Sequence, residues 1–140
     1  MILLDTNVVS EVMRPRPDSV VENWLDRQPP EELWTAAVVL AELFGGIEVM
    51  PLGRKQLDLR KIVEEMIAED FQGRILLLDL AVARCYGQIL SARRRIGRPI
   101  REMDALIAAT ALANGAALAT RNTSDFEDCG IQMVNPWNQA

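Results

Sequence analysis

The stretch Met1-Ile2-Leu3-Leu4-Asp5-Thr6-Asn7 decides how the rest of the chain is read. Three apolar residues closed by an aspartate and a threonine suit a short buried strand that feeds a helix N-terminus. The same arrangement recurs downstream. Leu33–Thr35 precedes an apolar helical pattern from Ala37, and Arg74–Leu78 runs into Asp79 at a helix N-cap position. Ala116–Thr120 and Ile131–Val134 complete a set of five candidate strands. Helical spacing fills the intervals: Asn7 to Met13, ending before Pro15; Ser19 to Arg27, with Val20, Val21, Trp24 and Leu25 on one face; and Ala37 to Val49. Arg54 to Asp70, Leu80 to Arg95, and a segment from Glu102 or Asp104 to Asn114 follow, the last stopped by Gly115 at C′. Gly45-Gly46 weakens the third helix and permits close packing there. Ser124 or Asp125 caps a one-turn helix.

Short apolar strands alternating with amphipathic helices predict an α/β fold, with helices covering a central short-stranded parallel sheet. Sites in such sheets lie beyond the carboxyl ends of the strands. Asp5 follows the first strand directly and Thr120 to Asn122 follows the fourth, so both are expected on one edge. No linker or repeat interrupts the pattern, and 140 residues predict a single domain over 1–140.

Composition narrows the chemistry. The chain is 49 % hydrophobic and 25 % charged, an ordinary globular balance. No apolar run reaches the roughly 18 residues of a membrane span, and the N-terminus lacks a signal-peptide pattern. A cytoplasmic location without membrane attachment is therefore expected. Cys85 and Cys129 are too few for a disulfide framework or a zinc site. There is no histidine, which excludes Ser-His and Cys-His dyads and histidine-ligated zinc. Hydrolytic chemistry on this chain must run on carboxylates, with a hard metal as the natural helper. Fifteen basic against twenty acidic residues give a net charge of −5, which argues against a generic nucleic-acid coat protein. An enzyme acting on nucleic acid remains compatible, because bound cations and local arginine clusters offset the excess.

The informative residues are acids in apolar surroundings: Asp5 after Ile2-Leu3-Leu4, Glu42 within Val38-Val39-Leu40-Ala41-Glu42-Leu43-Phe44, and Asp104 before Ala105-Leu106-Ile107-Ala108-Ala109. An ionised carboxylate in such a setting costs several kcal/mol unless something positive offsets it, and a divalent cation suits oxygen ligands. Each acid also has a plainer reading. Asp5 can cap the first helix, Glu42 can reach solvent or an arginine, and Asp104 can complement a helix dipole. Asn122 and Asp125 can serve as turn and cap residues. Asp79 is assigned to capping.

Taken in order, Leu3-Leu4-Asp5-Thr6-Asn7, Ala41-Glu42-Leu43, Asp104-Ala105-Leu106-Ile107-Ala108-Ala109-Thr110-Ala111, Ala119-Thr120-Arg121-Asn122-Thr123-Ser124-Asp125-Phe126 and Val134-Asn135-Pro136-Trp137 resemble the PIN-domain family. Within it the chain resembles ribonuclease toxins of the VapC type, in the FitB-like branch, over essentially its whole length. The resemblance implies a three-layer α/β/α sandwich and a Mg²⁺- or Mn²⁺-dependent endoribonuclease, the toxin of a type II toxin–antitoxin pair. Its catalytic acids fall on Asp5, Glu42 and Asp104, with Asp5, Asp104 and Asn122 at metal-binding positions. The family's fourth acidic position is Asn122 here, whose amide oxygen can ligate but adds no charge. Asp125 is the substitute carboxylate nearest in sequence. Thr6 and Thr120 would orient water or a carboxylate, and Asp104 or Glu42 would take the proton from an attacking water activated by the ion.

RNA contact needs positive charge. Arg93-Arg94-Arg95, Arg98 and Arg101 are the densest basic stretch, and Arg121 sits at the expected sheet edge. Arg93, Arg94, Arg98 and Arg121 are the candidate RNA contacts; the alternative for Arg93–Arg95 is a solvated helix end. Arg54-Lys55 and Arg60-Lys61 are expected at the surface. Trp24, Trp34 and Trp137 either stack bases or belong to the core or an interface. Leu43, Phe44, Ile47, Met50 and Leu52 suggest an apolar groove, which the resemblance assigns to an antitoxin segment. A homodimer or higher toxin–antitoxin assembly is implied in the same way.

Rival readings fit less well. A phosphoryl-accepting receiver domain has adjacent acids after its first strand and a lysine near the site, but Leu3-Leu4 precede Asp5 and no lysine follows Lys61. A dehalogenase-type phosphatase wants Asp-x-Asp, and position 7 is Asn. A non-catalytic PIN-like binding module with a degenerate metal site stays open because of Asn122.

Overall fold

The computed structural model describes residues 1–139. Five strands, β1 (Ile2–Leu4), β2 (Leu33–Ala36), β3 (Ile75–Leu76), β4 (Ala117–Ala119) and β5 (Met133–Val134), form one parallel sheet in the order β3-β2-β1-β4-β5. Between them run α1 (Thr6–Val12), α2 (Ser19–Asp26), α3 (Ala37–Glu48), α4 (Arg54–Glu65), α5 (Leu80–Arg95) and α6 (Glu102–Ala113). The chain steps from β1 to β2 to β3 in one direction, then returns past β1 to β4. Helices connect the successive parallel strands. This gives the α/β sandwich expected from the alternation of strands and helices.

The core follows from the patterning. Leu3, Val8, Val39, Ile107, Leu118 and Phe126 are all almost fully buried. The alanines of α6 (Ala105, Ala108, Ala109, Ala111) are completely inaccessible, so small side chains bring that helix close to its neighbours. Gly115, with φ of 63°, ends α6 in the left-handed conformation that favours glycine.

The strand order reverses between β1 and β4. Asp5 N–H donates to the Ala119 carbonyl (2.9 Å) at the carboxyl ends of these two strands. A parallel sheet is open at this point, so residues just past β1 and β4 face a common crevice.

Some local expectations are corrected. The helix expected over Arg54–Asp70 is α-helical only to Glu65; Met66–Asp70 is a wider π turn, closed by Phe71 N–H donating to the Met66 carbonyl at 2.9 Å. The extra residue in that turn accompanies the burial of Phe71. The third strand pairs over Ile75–Leu76 alone, leaving Leu77 and Leu78 exposed. A Cβ added at Gly45 or Gly46 would meet nothing within 4 Å, so these glycines do not serve close packing. Asp79 does cap α5, accepting from Val82 N–H at 3.0 Å.

Arg93 is a further correction. It is only 4 % exposed. Its Nε donates to the Arg98 carbonyl (2.7 Å), and its Nη1 donates to the Asp125 and Glu127 carbonyls (2.9 Å each). Burial and these bonds make it a clamp between the end of α5 and the 122–128 segment, and remove it from the RNA contacts. Arg93→Met should leave those carbonyls unsatisfied and cost about 3 kcal/mol, lowering Tm by roughly 10 °C. Exposed Arg94→Ala should leave Tm unchanged within about 2 °C. Thermal denaturation of both variants checks this.

Candidate active site

Residues from several segments line one cavity of about 470 Å³ at the β1/β4 edge. The end of β1 supplies Asp5, α1 supplies Thr6, Asn7, Ser10 and Glu11, the turn after it Arg14, and α3 supplies Glu42. The start of α6 brings Arg101 and Asp104. The segments after β4 and β5 bring Arg121, Asn122 and Trp137. The three sequence-predicted acids, far apart along the chain, thus face one space.

Asp5 is the anchor. It is buried, and its carboxylate does three things at once. Oδ1 accepts from Thr6 N–H (2.8 Å) and caps α1. Oδ2 accepts from Thr120 Oγ1 (2.7 Å) and from Asn7 Nδ2 (3.2 Å). Thr120 Oγ1 in turn accepts from Asn122 N–H (3.0 Å), which fixes the turn carrying Asn122. The capping reading and the site reading of Asp5 are therefore both true of one side chain. Burial raises its pKa first and foremost; the hydrogen bonds from Thr120 and Thr6 work against this, and the nearby Asp104 and Glu42 carboxylates raise it further. Among the described residues no cation is ion-paired with it.

Glu42, half-buried on α3, accepts through Oε1 from Thr6 Oγ1 at 2.6 Å. Thr6 thus couples the two acids, its backbone on Asp5 and its hydroxyl on Glu42. Asp104 stands in the first turn of α6, and Arg101 Nε approaches its Oδ2 at 3.4 Å. Arg101 is largely exposed, so this contact is a weak one.

The donor chemistry fits a hard divalent cation. Four carboxylates (Asp5, Glu11, Glu42 and Asp104) and Asn122 line the cavity; buried Glu11 is ion-paired with Arg14, buried Asp5 lacks a counter-ion, and no soft ligand is among them. The arrangement is open rather than closed. Among the described residues no three acidic or sulfur-bearing side chains stand close enough to hold an ion unaided. Mg²⁺ tolerates such a site because it keeps several waters and takes few protein oxygens.

Other candidates fall outside the cavity. Asp125 is exposed and lines a neighbouring smaller pocket with Arg93, Arg101 and Asp104. Arg98 is ion-paired with Glu127 (2.9 Å) and Asp128 (3.3 Å), which raises its pKa. Arg94 is exposed and does not line the cavity. Arg121 is the predicted arginine that does line it. The candidates drawn from the sequence do not include Asn7, Ser10, Glu11 and Arg14, although the i, i+3, i+4 spacing of the first three marks one polar face of α1, with Arg14 in the turn that follows. Asn7 joins the two strand ends, since its Oδ1 also accepts from Arg121 N–H at 3.3 Å.

A second cavity of about 450 Å³ adjoins the first and shares Thr6, Ser10, Arg14 and Glu42 with it. Met13, Leu43, Ile47, Met50 and Leu59 make its walls apolar. Leu43, Ile47 and Met50 lie in this groove as expected; Phe44 and Leu52 do not line it, and Leu52 points to solvent, 93 % exposed.

The raised pKa of Asp5 has a stability consequence. A carboxyl whose folded pKa lies above its unfolded value binds more protons when folded, so stability falls as pH rises from the unfolded to the folded value. Asp5→Asn keeps a capping oxygen and removes the charge. In EDTA it should raise Tm at pH 7, and the gain should vanish below about pH 3.9, where the unfolded carboxyl is itself protonated. Melting curves across pH 3–8 test this.

The comparisons with known proteins agree with this geometry. A model of the PIN domain matches residues 2–130. The chain is 39 % identical to the VapC ribonuclease Y4jK of Sinorhizobium fredii over 140 residues, covering all of both chains. It is 41 % identical to the toxin FitB of Neisseria gonorrhoeae over 138 residues, 99 % of each. A solved structure of FitAB bound to the IR36 DNA fragment superposes with a TM-score of 0.91 at 39 % identity, covering 100 % of this chain and 98 % of that one. With its strand order, its acid-lined switch point and these matches, the chain belongs to the PIN domain family.

Proposed function

We propose that this protein is a Mg²⁺- or Mn²⁺-dependent endoribonuclease, the toxin of a type II toxin–antitoxin pair acting in the cytoplasm. The observation that carries the reading is the convergence of Asp5, Glu42 and Asp104 on one cavity, with Asp5 buried and lacking a counter-ion. The full-length likeness to proteins named as a ribonuclease and a toxin supports the substrate class and biological setting. No helix among the described residues is long and apolar enough to cross a membrane.

Asp5, Asp104 and the Asn122 amide oxygen would hold the ion. When bound it lowers the pKa of a coordinated water and stabilises charge building on the phosphate. The chain's own residues do the rest. Thr120 Oγ1, Thr6 N–H and Asn7 Nδ2 keep the Asp5 carboxylate oriented, removing the rotamer freedom that would blur the site. Thr6 Oγ1 fixes Glu42 through Oε1, leaving Oε2 to accept the proton of the attacking water. Arg101 and Arg121 on the rim attract the phosphate backbone into a pocket whose acids would otherwise repel it. Arg94 and Arg98 would meet only RNA that extends beyond the cavity.

The apolar groove is the natural seat of a partner segment. A peptide with apolar side chains followed by an arginine would fill both cavities and place its guanidinium on the acids. We assign it to the cognate antitoxin and place the toxin in a homodimer or larger toxin–antitoxin assembly.

Incubating the purified chain with mixed RNAs and Mn²⁺ or Mg²⁺ tests the enzyme. Cleavage should be abolished by EDTA and fall at least a hundredfold in Asp5→Ala, Glu42→Ala and Asp104→Ala. Asp5→Ala protein that cleaves as well as wild type marks a contaminant and removes the enzyme claim. RNA binding without metal and without cleavage identifies a non-catalytic PIN-like module, the reading that Asn122 in place of a fourth acid favours. A Mn²⁺ titration of Asn122→Asp should saturate at lower concentration, since a carboxylate adds charge where the amide adds none. An unchanged titration makes Asn122 a turn residue only.

A further inference from the structure

Trp137 lies beyond residues 2–130, yet it lines the acidic cavity. Its placement is closely held. Asn135 Oδ1 accepts from Trp137 N–H at 2.9 Å, buried Pro136 starts the 3₁₀ turn Pro136–Asn138, and that turn packs on α2. The indole is half-buried, with part of it packed against the core. The Arg121 guanidinium carbon sits 5.0 Å from the ring centroid. Arg121 is itself tethered at its backbone, since its N–H donates to Asn7 Oδ1. No carboxylate among the described residues pairs with it. The result is a planar cation backed by an aromatic ring, on the rim of a cavity whose acids would hold the ion and a phosphate.

An arginine engaged only with phosphate needs no flat backing. Stacking on an indole holds the guanidinium plane in one orientation, which is what a nucleobase laid on its outer face requires. We propose that Arg121, supported by Trp137, is a stacking shelf for an unpaired base next to the scissile phosphate, and so a specificity-determining residue of the site. This rests on the nuclease reading given above and adds a base-contacting pair to it. A paired base is stacked within its own helix and has no free face for the shelf.

The test separates the two readings by measuring binding on a protein that does not cleave. Asp5→Asn protein in Mg²⁺ is titrated, by fluorescence anisotropy, into three fluorescein-labelled 12-nucleotide probes: a single strand of mixed sequence, the same strand in a duplex, and a sugar–phosphate strand of abasic residues. The base-bearing single strand should bind roughly five- to a hundredfold tighter than the abasic strand, the range expected of one or more stacked bases. It should also bind tighter than the duplex. Arg121→Lys keeps the charge but not the plane, and should erase most of the difference. Trp137→Leu should do the same, and Trp137→Phe should preserve it. If Trp137→Leu fails to fold, the exposed Arg121→Lys decides alone. An intact-to-abasic ratio unchanged in Arg121→Lys, or equal affinity for duplex and single strand, overturns the shelf. Loss of metal-dependent cleavage in the wild type overturns the nuclease instead.

Discussion

A buried carboxylate without a counter-ion is the constraint around which this protein is arranged. Asp5 sits at the reversal of strand order, where its removal from water is unfavourable and two further carboxylates add to the cost. Three hydrogen bonds offset part of it, and they come from the residues that also organise the edge: Thr6, Asn7 and Thr120. One side chain therefore caps a helix, ties β1 to β4 and faces the cavity.

The second layer of support is as informative as the acids. Thr6 links Asp5 to Glu42, and Thr120 links Asp5 to the Asn122 turn. Asn7 reaches both Thr120 and Arg121. On the far side, Arg93 holds the 122–128 segment through backbone carbonyls. The cavity is thus fixed from both ends of the sheet edge, while Arg101 and Arg121 remain exposed at its rim. Acids held by hydrogen bonds beneath exposed arginines give the cavity a negative floor and a positive rim.

Much of this was legible before any coordinates. Strands of three apolar residues ending in Asp or Thr announced the sheet and its functional edge, and the lack of histidine directed attention to carboxylates. Arg93 is the exception, because burial is not written in composition. Arg93 and Arg94 are adjacent and identical, but on a helix they point about 100° apart. One turns to the loop and is consumed there; its neighbour turns to water. Continuous helical spacing through Asp70 likewise hid the π turn, since one extra residue in a turn leaves no mark on the apolar pattern. The polar face of α1 at residues 7, 10 and 11 was readable, but its meaning depended on which side of the helix met the cavity.

The sequence by itself determined the class of fold, the parallel sheet and the three acids, because strand periodicity, capping chemistry and the cost of burying charge act over a few residues. Only the tertiary structure decided that positions 5, 42, 104 and 122 share one cavity, that Arg93 is structural, and that Trp137 stands behind Arg121. Those facts arise from strand order and helix rotation, which bring together segments more than a hundred residues apart and leave no local trace in the chain.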